Sequence, residues 1–550
     1  MQRSPRDLCS AVEPPLPAGA TPRGAAHPAL TRRQALAGLS ALGGVALLGA
    51  ALRQPAGAQT PQAGHSGAGH AGDGGSAGLI PEVGATPAWL EWQPEELREP
   101  EVWTSKDGVL TGDLRLAYAY QEIGGYQLYL RGYNGAFPGP TLRAHPGDRL
   151  ALTVTNALPP NPDPQPASHD LPHHFNTTNV HTHGLHVSPA GESDNVFRSM
   201  EPGSASNVVI DIPADHPAGT FWHHPHHHGA VDVQLTSGAF GALIVEGDFA
   251  DVPEIAAAQD RVLLLSEVLF DYLGQIEHYD TLWPEAVPRF LAVNGQREPI
   301  LRMRPGEVQR WRVVQAAHED NFRLGLSGHD LHVIAHDGIA LAAMETVPNV
   351  VIAPGQRVDL LVQAGEPGTY QLAALPNDQG YPSPEGPFAT LIVEGEPLPL
   401  GLPAALPPPP FAPIPDAELT GARTLTLSEL APENPASANY QEFAFLIDGQ
   451  RFDPNRVDQR VELNAVEEWT IVNDDVSDHV FHIHTNPFLH THTNGAPLDP
   501  PVWRDTVVVP TMGSVTYRTR FLDFTGKLVL HCHMMNHEEL GMMQVVEIVE

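Results

Sequence analysis

The stretch "YNGAFPGPTLRAHPGDRLALTVTN" (residues 133–156) recurs in two divergent copies further along the chain. These copies are "VNGQREPILRMRPGEVQRWRVVQ" at 293–315 and "IDGQRFDPNRVDQRVELNAVEEWTIVN" at 447–473. Each contains Asn-Gly or Asp-Gly, then a proline and a polar turn, and closes on an alternating segment. Asx-Gly between strands is a hairpin signal, and alternation indicates a half-buried strand. Three copies at a spacing of about 150 residues predict an all-β chain of three related antiparallel β-sandwich domains.

The segments between the copies predict where these domains begin and end. We expect domains at 81–247, 255–396 and 419–550, each built around one copy of the repeat. Residues 397–418 are rich in proline, which is typical of a semi-rigid linker that crosses a surface. The total of 55 prolines and 50 glycines agrees with many short strands and turns.

The first 80 residues lack the strand pattern. Arg32 and Arg33 precede an uncharged run rich in Ala, Leu and Gly, and "AGA" at 56–58 offers a small-residue cleavage site. We therefore interpret residues 1–58 as a twin-arginine export signal and expect a periplasmic or secreted protein. The run is short and weakly hydrophobic, so no stable membrane span is expected. Residues 59–80, rich in Gly and Ala with two histidines, are predicted to be a disordered linker.

Charge and cysteine content exclude several classes of partner and scaffold. The 65 acidic and 30 basic residues give a formal net charge of -35, which would repel nucleic acids and anionic lipids. The negative charge does not exclude small cations or neutral molecules as substrates. Cys9 and Cys532 are the only cysteines, so a disulfide framework is excluded and Cys532 is the sole thiol after export. We expect a monomer.

Four His-x-His pairs carry the chemistry of the chain. Two lie in the first predicted domain and two in the third, namely His181/His183, His224/His226, His482/His484 and His531/His533. In a strand, residues two apart point to the same face, so each pair can offer two imidazoles to one metal cluster. Imidazole suits copper, whereas magnesium prefers carboxylates and iron–sulfur clusters need thiolates. Eight imidazoles match a three-copper cluster between the first and third domains.

The stretch "HCHMMNHEELGMM" (531–543) predicts a separate copper site on the other face of its strand. Cys532 alternates with its histidine neighbours and therefore points away from them. A mononuclear blue copper needs two histidines, a cysteine and a weak axial methionine. His479, His537 and Met542 have suitable types and spacing. The strand would then join this copper to the cluster through a few covalent bonds.

In these motifs the chain resembles the three-domain bacterial multicopper oxidases, the family of laccases and cuprous oxidases. The resemblance covers roughly residues 90–550. The resemblance implies cupredoxin-like Greek-key domains and four coppers. It also implies successive one-electron oxidations of a small reducing substrate, coupled to reduction of O₂ to water. It assigns the type 1 copper to His479, Cys532, His537 and Met542. It assigns the type 2 copper to His181 and His482, and the type 3 pair to His183, His224, His226, His484, His531 and His533.

Two acids resemble the carboxylates that this family holds near the cluster. Glu538 follows His537 directly, and Asp194 lies in "GESDNVF". Carboxylates at such positions relay protons and orient ligating histidines.

The other histidines and methionines in these segments receive no ligand role. His490 and His492, like His169, His173 and His174, are predicted to lie in surface loops. His223, His227 and His228 are left unassigned. Met534, Met535 and Met543 are predicted to be packing residues, because methionine fills gaps in apolar cores.

The substrate stays open between two classes. The chain has only nine methionines and no methionine cluster, which favours a laccase-like oxidase of phenols or aromatic amines. Its acidic surface would concentrate Cu(I), Mn(II) or Fe(II), which favours a metal-ion oxidase. A copper nitrite reductase needs neither four histidine pairs nor a third domain in one chain, so the sequence disfavours this class. A non-catalytic periplasmic relative would be expected to have lost ligands, and all twelve are present.

Overall fold

The structure is a computed structural model that describes residues 92–162, 171–283, 290–432 and 439–550. The proposed signal and the linker at 59–80 lie outside these ranges, as does His169. The regular secondary structure of the described chain is almost entirely strand, which confirms the all-β class. It contains only short α-helices, namely α1 (Val231–Thr236), α2 (Pro253–Ala256) and α3 (Met535–Glu539). None of the described helices has the length and apolar character needed to cross a membrane.

The first sandwich packs a four-stranded sheet against a five-stranded one. Its strands are β1 (Val102–Thr104), β2 (Val109–Ile123), β3 (Tyr126–Tyr133), β4 (Thr141–Ala144), β5 (Arg149–Asn156), β6 (His181–His183), β7 (Ala205–Asp211), β8 (Gly219–His224) and β9 (Gly241–Val245). The sheet orders are β3-β2-β5-β7 and β1-β4-β9-β8-β6. Along β5 buried and more exposed residues alternate, as the sequence predicts for a half-buried strand. Leu114, Val154 and Leu243 meet between the sheets.

The second sandwich has sheets in the orders β12-β11-β10-β14-β19-β16-β17 and β13-β21-β20-β15-β18. Its strands are β10 (Gln259–Val268), β11 (Phe290–Val293), β12 (Gln296–Arg297), β13 (Ile300–Met303), β14 (Val308–Gln315), β15 (Phe322–Leu326), β16 (Leu331–His336), β17 (Ile339–Val347), β18 (Asn349–Ile352), β19 (Arg357–Gln363), β20 (Gly368–Leu375) and β21 (Gly386–Val393). Every residue of β14 is buried. The strand faces its own core with one side, and Arg312 on it donates to Thr220 of the first sandwich.

The third sandwich has sheets in the orders β23-β22-β25-β30-β27-β28 and β24-β32-β31-β26-β29. Its strands are β22 (Gly421–Leu430), β23 (Ala444–Ile447), β24 (Gln459–Glu462), β25 (Val466–Asn473), β26 (His479–Ile483), β27 (Phe488–Thr493), β28 (Ala496–Arg504), β29 (Thr506–Val509), β30 (Ser514–Arg520), β31 (Gly526–Cys532) and β32 (Met543–Val549). The loop prediction for His490 and His492 is wrong. Both lie on β27, where paired strands on either side bury His490 to 7% exposure.

The repeated Asx-Gly dipeptide forms a tight turn in each sandwich. At Asn134-Gly135, Asn294-Gly295 and Asp448-Gly449 both residues have positive φ, between 52° and 72°. Glycine and Asx tolerate this left-handed region, which is why these residue types recur here. In each copy the Asx side chain accepts a hydrogen bond from a backbone N–H of the neighbouring strand. The repeat is therefore a common structural device of the three sandwiches.

One continuous apolar core crosses the junction of the sandwiches. It contains Trp222 and Phe240 of the first, Val314 of the second, and Phe481 and Leu530 of the third, all at most 1% exposed. Burial of such side chains contributes roughly 25 cal/mol per Å² of apolar surface removed from water. The junction is thus a packed interior that can hold polar side chains away from solvent.

Candidate metal centres

The His-x-His pairs lie on strands that the sheets place side by side. In the first sandwich, β6 pairs with β8 so that His181 is opposite His224. In the third, β26 pairs with β31 so that His482 is opposite His531. The second member of three pairs lies just beyond a strand end, one residue past it for His484 and His533 and two residues past it for His226. Within each of these two sandwiches, strand pairing alone therefore brings the two His-x-His pairs together.

The two sandwiches then press these histidine strands against each other. The ring of His181 stacks on that of His484, and the ring of His183 stacks on that of His482, each at a centroid distance of 3.8 Å. All eight imidazoles are at most 2% exposed. The structure thus unites the four predicted pairs in one buried group, which we call the eight-histidine group.

Ring nitrogens converge in the centre of this group. The Nε2 atom of His226 lies 3.1 Å from His531 Nε2 and 3.2 Å from His484 Nε2. On the other side, His183 Nδ1 lies 3.1 Å from His533 Nε2. Sets of three donor atoms within 4.8 Å of one another include His226, His484 and His531. Such crowding of lone-pair atoms is what a bound cation would relieve.

Three further nitrogens point inward without a hydrogen-bond partner among the described residues. They are the Nε2 atoms of His181, His224 and His482. Leaving a buried polar atom unpaired costs roughly 1–3 kcal/mol, so a set of them requires an explanation. Burial, together with the neighbouring imidazoles, lowers the pKa of these three histidines well below the usual range. Neutral imidazoles with free lone pairs are the form that ligates metals, and copper fits this donor set.

The two predicted acids lie close to one outer nitrogen of His181 and one of His531, and the His531 nitrogen also contacts the Cys532 carbonyl at 3.0 Å. His181 Nδ1 is 2.9 Å from Asp194 Oδ2, and His531 Nδ1 is 3.0 Å from Glu538 Oε2. Glu538 also approaches His226, at 3.5 Å. A hydrogen bond to the outer nitrogen fixes the tautomer and orientation of a ligating imidazole. The structure therefore places both acids against the histidines, one on each side of the group.

The two acids differ in proton affinity. Burial raises the pKa of Asp194 to about 7, although the Thr182 backbone N–H lowers it in part. Burial also acts to raise the pKa of Glu538, but His226 and His531 outweigh it and hold that pKa at about 2. Asp194 is the acid that can gain and lose a proton near neutral pH.

A third acid, Asp505, was missed by the sequence reasoning. Its Oδ1 lies 3.2 Å from His183 Nε2, and its backbone oxygen lies 2.8 Å from His482 Nδ1. Arg357 of the second sandwich donates to both carboxylate oxygens, at 2.8 and 2.5 Å. The second sandwich offers no histidine to the group, yet this buried arginine connects it to two of the imidazoles. The acid stands just before β29, but only the pairing of β29 with β26 brings it to the histidines.

Cys532 forms a second group with His479 and His537, which we call the thiolate group. Its Sγ lies 3.7 Å from His479 Nδ1 and 3.5 Å from His537 Nδ1, and these two nitrogens are 3.0 Å apart. The Met542 backbone closes the loop, because its carbonyl accepts from the Cys532 N–H. Met542 is fully buried in the same core. The structure thus brings the thiol and the two predicted histidines together on the far side of β31.

The two histidines of the thiolate group have different surroundings. His479 Nε2 lies 3.4 Å from Asp475, another acid that the sequence reasoning did not single out. Burial lowers the pKa of His479, but Asp475 and Cys532 raise it to about 10. His537 begins the last turn of α3 and stacks on Phe445 at 4.0 Å. It is 4% exposed, whereas His479 is fully buried. His537 is therefore the side of this group nearest to solvent.

The remaining histidines and methionines behave in three ways. His223 turns away from the group and bonds the Pro140 carbonyl at 2.9 Å. Met534 and Met535 are buried in the apolar core, as predicted for packing residues. His173 and His174 lie outside the strands, as predicted, with half-buried side chains, and His173 lines a cavity with His227, His228 and Met543.

Comparisons with known proteins agree with this geometry. Family models described as multicopper oxidase match residues 117–163 with 172–249, 271–395 and 426–550. A laccase from Bacillus stratosphericus is 26% identical over 478 residues, covering 76% of this chain and 90% of the relative. The cell division protein FtsP of Salmonella typhimurium is 26% identical over 391 residues, covering 69% and 76%. The solved multicopper oxidase of Campylobacter jejuni, described as a metallo-oxidase, matches with TM-score 0.70 and 23% identity over 84% of this chain and 98% of that one.

Proposed function

Since the chain belongs to the multicopper oxidase family, we propose that it is an oxidoreductase that couples oxidation of a small reducing substrate to reduction of O₂ to water, with four coppers. The observation that supports this most strongly is the eight-histidine group, whose unpaired inner nitrogens adjoin a thiolate group on the same strand. A structural protein has no need for buried imidazoles that lack partners, since such atoms destabilise a fold.

The convergence of nitrogens supports a specific assignment of ligands. One type 3 copper would be held by His226, His484 and His531, and the other by His183, His224 and His533. The type 2 copper would be held by His181 and His482, whose free Nε2 atoms point inward. The type 1 copper would be held by His479, Cys532, His537 and Met542.

Bound copper would supply one-electron redox chemistry at both groups, and the residues around it would organise that chemistry. Cys532 is joined by peptide bonds to His531 and His533, so the shortest connection between the groups is covalent. Asp194, whose pKa burial raises and whose Oδ2 lies 2.9 Å from His181 Nδ1, is placed to exchange a proton beside this histidine. The carboxylate of Glu538 lies 3.0 Å from His531 and 3.5 Å from His226 and would orient these two imidazoles.

We favour phenols or aromatic amines as substrates. An electron from a planar substrate enters most directly at His537, the histidine of the thiolate group nearest to solvent. The ring of Phe445 stacks on that of His537 at 4.0 Å and supports it from within the core, since only 2% of Phe445 is exposed. Oxidation of Cu(I) is the second candidate, supported by the formal charge of -35, which attracts cations.

Oxygen uptake by the copper-loaded protein tests these proposals. An electron-rich phenol and Cu(I) are compared at matched concentrations, with the Cys532→Ser variant as the matched control. Consumption of one O₂ per four electrons, without peroxide, is expected with the preferred substrate. Faster turnover of the phenol supports the laccase-like function, and faster turnover of Cu(I) supports the metal-ion oxidase. A protein that binds copper and consumes no O₂ with either would instead act as a non-catalytic relative.

We further propose export by the twin-arginine route. Replacing Arg32 and Arg33 together by lysine is expected to leave the protein in the cytoplasm, whereas the unaltered full chain reaches the periplasm. Equal export of both proteins contradicts this proposal, and fractionation with an immunoblot measures it.

A further inference from the structure

A cavity of about 210 Å³ lies against the eight-histidine group where the first and third sandwiches meet. His226, a proposed ligand, forms part of its wall. The rest of the wall combines Val, Phe and Pro side chains with His173, His227, His228 and Met543. The cavity therefore touches the group at one end and carries additional imidazoles and a thioether along its side.

The two consecutive histidines in this wall have nitrogen atoms without a partner. Both ring nitrogens of His228 and the Nδ1 atom of His227 are buried with no hydrogen bond to the described residues. The nearest acid, Glu539, lies 3.9 Å from His228 Nδ1, beyond hydrogen-bond distance, and accepts instead from the Gly229 N–H. Ser199 holds only the Nε2 side of His227, at 3.1 Å. Unpaired donors in a wall that is otherwise mostly apolar indicate a ligand that visits the cavity.

The eight-histidine group itself needs a route for its ions. Each of its imidazoles is at most 2% exposed, so a cation cannot reach them directly from bulk water. A bare cation also cannot cross an apolar wall without donors that replace its hydration shell. Imidazole and thioether are the donors that favour copper over magnesium or calcium, and thioether in particular favours Cu(I). The cavity provides both types beside His226.

We propose that this cavity is the route by which copper reaches the eight-histidine group, with His227 and His228 as transient ligands on the way. This inference rests on the proposed function, since it requires that the group holds copper. The thiolate group lies on the opposite side of β31, and none of its residues lines the cavity. Copper loading of the thiolate group is therefore expected to be independent of the cavity. Its rate serves as an internal reference for loading of the eight-histidine group.

The test follows copper uptake in full-length protein purified from copper-depleted cultures. Cu(I) is added without oxygen, samples are quenched with excess chelator at intervals, and a one-electron oxidant such as ferricyanide then oxidises the bound copper in both groups without requiring O₂. Blue absorption reports the thiolate group, the paramagnetic signal of the type 2 copper reports the eight-histidine group, and total copper is measured in parallel. The double variant His227→Gln/His228→Gln is compared with His145→Gln, a substitution at an exposed histidine elsewhere in the first sandwich.

In the double variant the type 2 signal is expected to lag behind the blue absorption by roughly 10-fold more than in the unaltered protein, at equal final copper content. Ser199→Trp, at the exposed rim, is expected to cause a similar lag by closing the mouth. This variant decides the matter if the double variant misfolds. Unchanged copper loading in Ser199→Trp overturns the inference. If the apparent KM for O₂ rises in the same variant while loading stays unchanged, the cavity carries oxygen and not copper. An unaltered protein that gains the blue copper but no type 2 signal overturns the proposed ligand assignment as well.

Discussion

The thiolate group and the eight-histidine group are assembled in different ways. His479, Cys532 and His537 all belong to the third sandwich and to one strand pair with its adjoining helix. The eight-histidine group joins residues as distant as His183 and His533, which are 350 positions apart. The first group therefore depends on the fold of one sandwich, whereas the second depends on how three sandwiches dock. Agents that loosen the junction should disturb the second group first.

The supporting contacts reflect the same difference. Asp475, four residues before His479, supports the thiolate group from within its own chain segment. The eight-histidine group is held by Asp194 of the first sandwich, Glu538 and Asp505 of the third, and Arg357 of the second. Each sandwich thus contributes a charged side chain to the orientation of the shared imidazoles. Substitutions at these positions separate the two groups experimentally.

Removal of the thiol should produce the largest effect. Cys532→Ser is expected to abolish both the blue absorption and the oxidase activity, because a serine hydroxyl is a poor replacement for a thiolate ligand of copper. The eight-histidine group should still bind copper, since serine is nearly isosteric. Absorption spectra, oxygen uptake and copper content measure these outcomes, and circular dichroism checks the fold. A blue and active variant would refute the assignment of the thiolate group.

Glu538→Gln should affect the other group with the thiolate group intact. Loss of a carboxylate that accepts or delivers protons typically lowers a rate by about 10²–10⁴-fold. Reoxidation of the reduced protein by O₂ is expected to slow to this extent, while anaerobic reduction of the blue copper by substrate keeps its rate. Stopped-flow absorption separates the two half-reactions. Equal slowing of both would indicate that Glu538 acts on the whole junction and not on oxygen chemistry.

The Arg357–Asp505 pair tests the role of docking. Asp505→Asn removes the carboxylate that both Nη atoms of Arg357 contact, while Asp337 stays 3.8 Å from Nη1. This partial loss of a buried pair is expected to cost at most about 3 kcal/mol of unfolding free energy. Occupancy of the type 2 copper should fall and the blue absorption should persist. Denaturant titration of the metal-free protein and the type 2 signal after loading measure the two effects. The control Arg357→Met/Asp505→Leu is expected to recover stability without the type 2 signal. Recovery of both would show that the pair does not position His482, the proposed type 2 ligand beside Asp505.

For Asp194 we predict a smaller effect on the unfolding free energy, and this effect depends on pH. Its pKa in the folded protein is raised from 3.8 to about 7, so between these values the unfolded chain releases a proton that the folded protein retains. Unfolding free energy therefore falls as pH rises through this window, by at most about 4 kcal/mol. Asp194→Asn removes this loss, so the variant should gain stability relative to the unaltered metal-free protein at pH 8 but not at pH 4. Denaturant titrations at both values test the sign, and a pH-independent difference would contradict it.

Several features of this molecule were predictable because they depend on neighbours in the chain. The three Asx-Gly turns, the alternating strands and the i, i+2 spacing of the histidines are local properties, so the all-β class and the histidine pairs follow from them. The opposite orientation of Cys532 and its flanking histidines follows likewise from the pleat of a single strand. Glu538 was found through the resemblance to the family, because its place directly after His537 belongs to the motif.

Other features required the assembled fold. Asp505 and Arg357 reach the histidines only through the pairing of β29 with β26 and the docking of the second sandwich. The cavity beside His226 is lined by residues of the first and the third sandwich, so neither segment alone predicts it. The loop prediction for His490 was wrong, because its own segment does not indicate that β28 and β30 pair with it on either side.

The sequence by itself therefore determined the strand-rich class, the three-fold repeat and the identity of the candidate ligands. Only the tertiary structure decided which nitrogens converge, which acids hold them and where a cavity meets them. The physical reason is range: backbone geometry acts over a few residues, whereas packing and charge pairing act across space between segments that lie hundreds of residues apart.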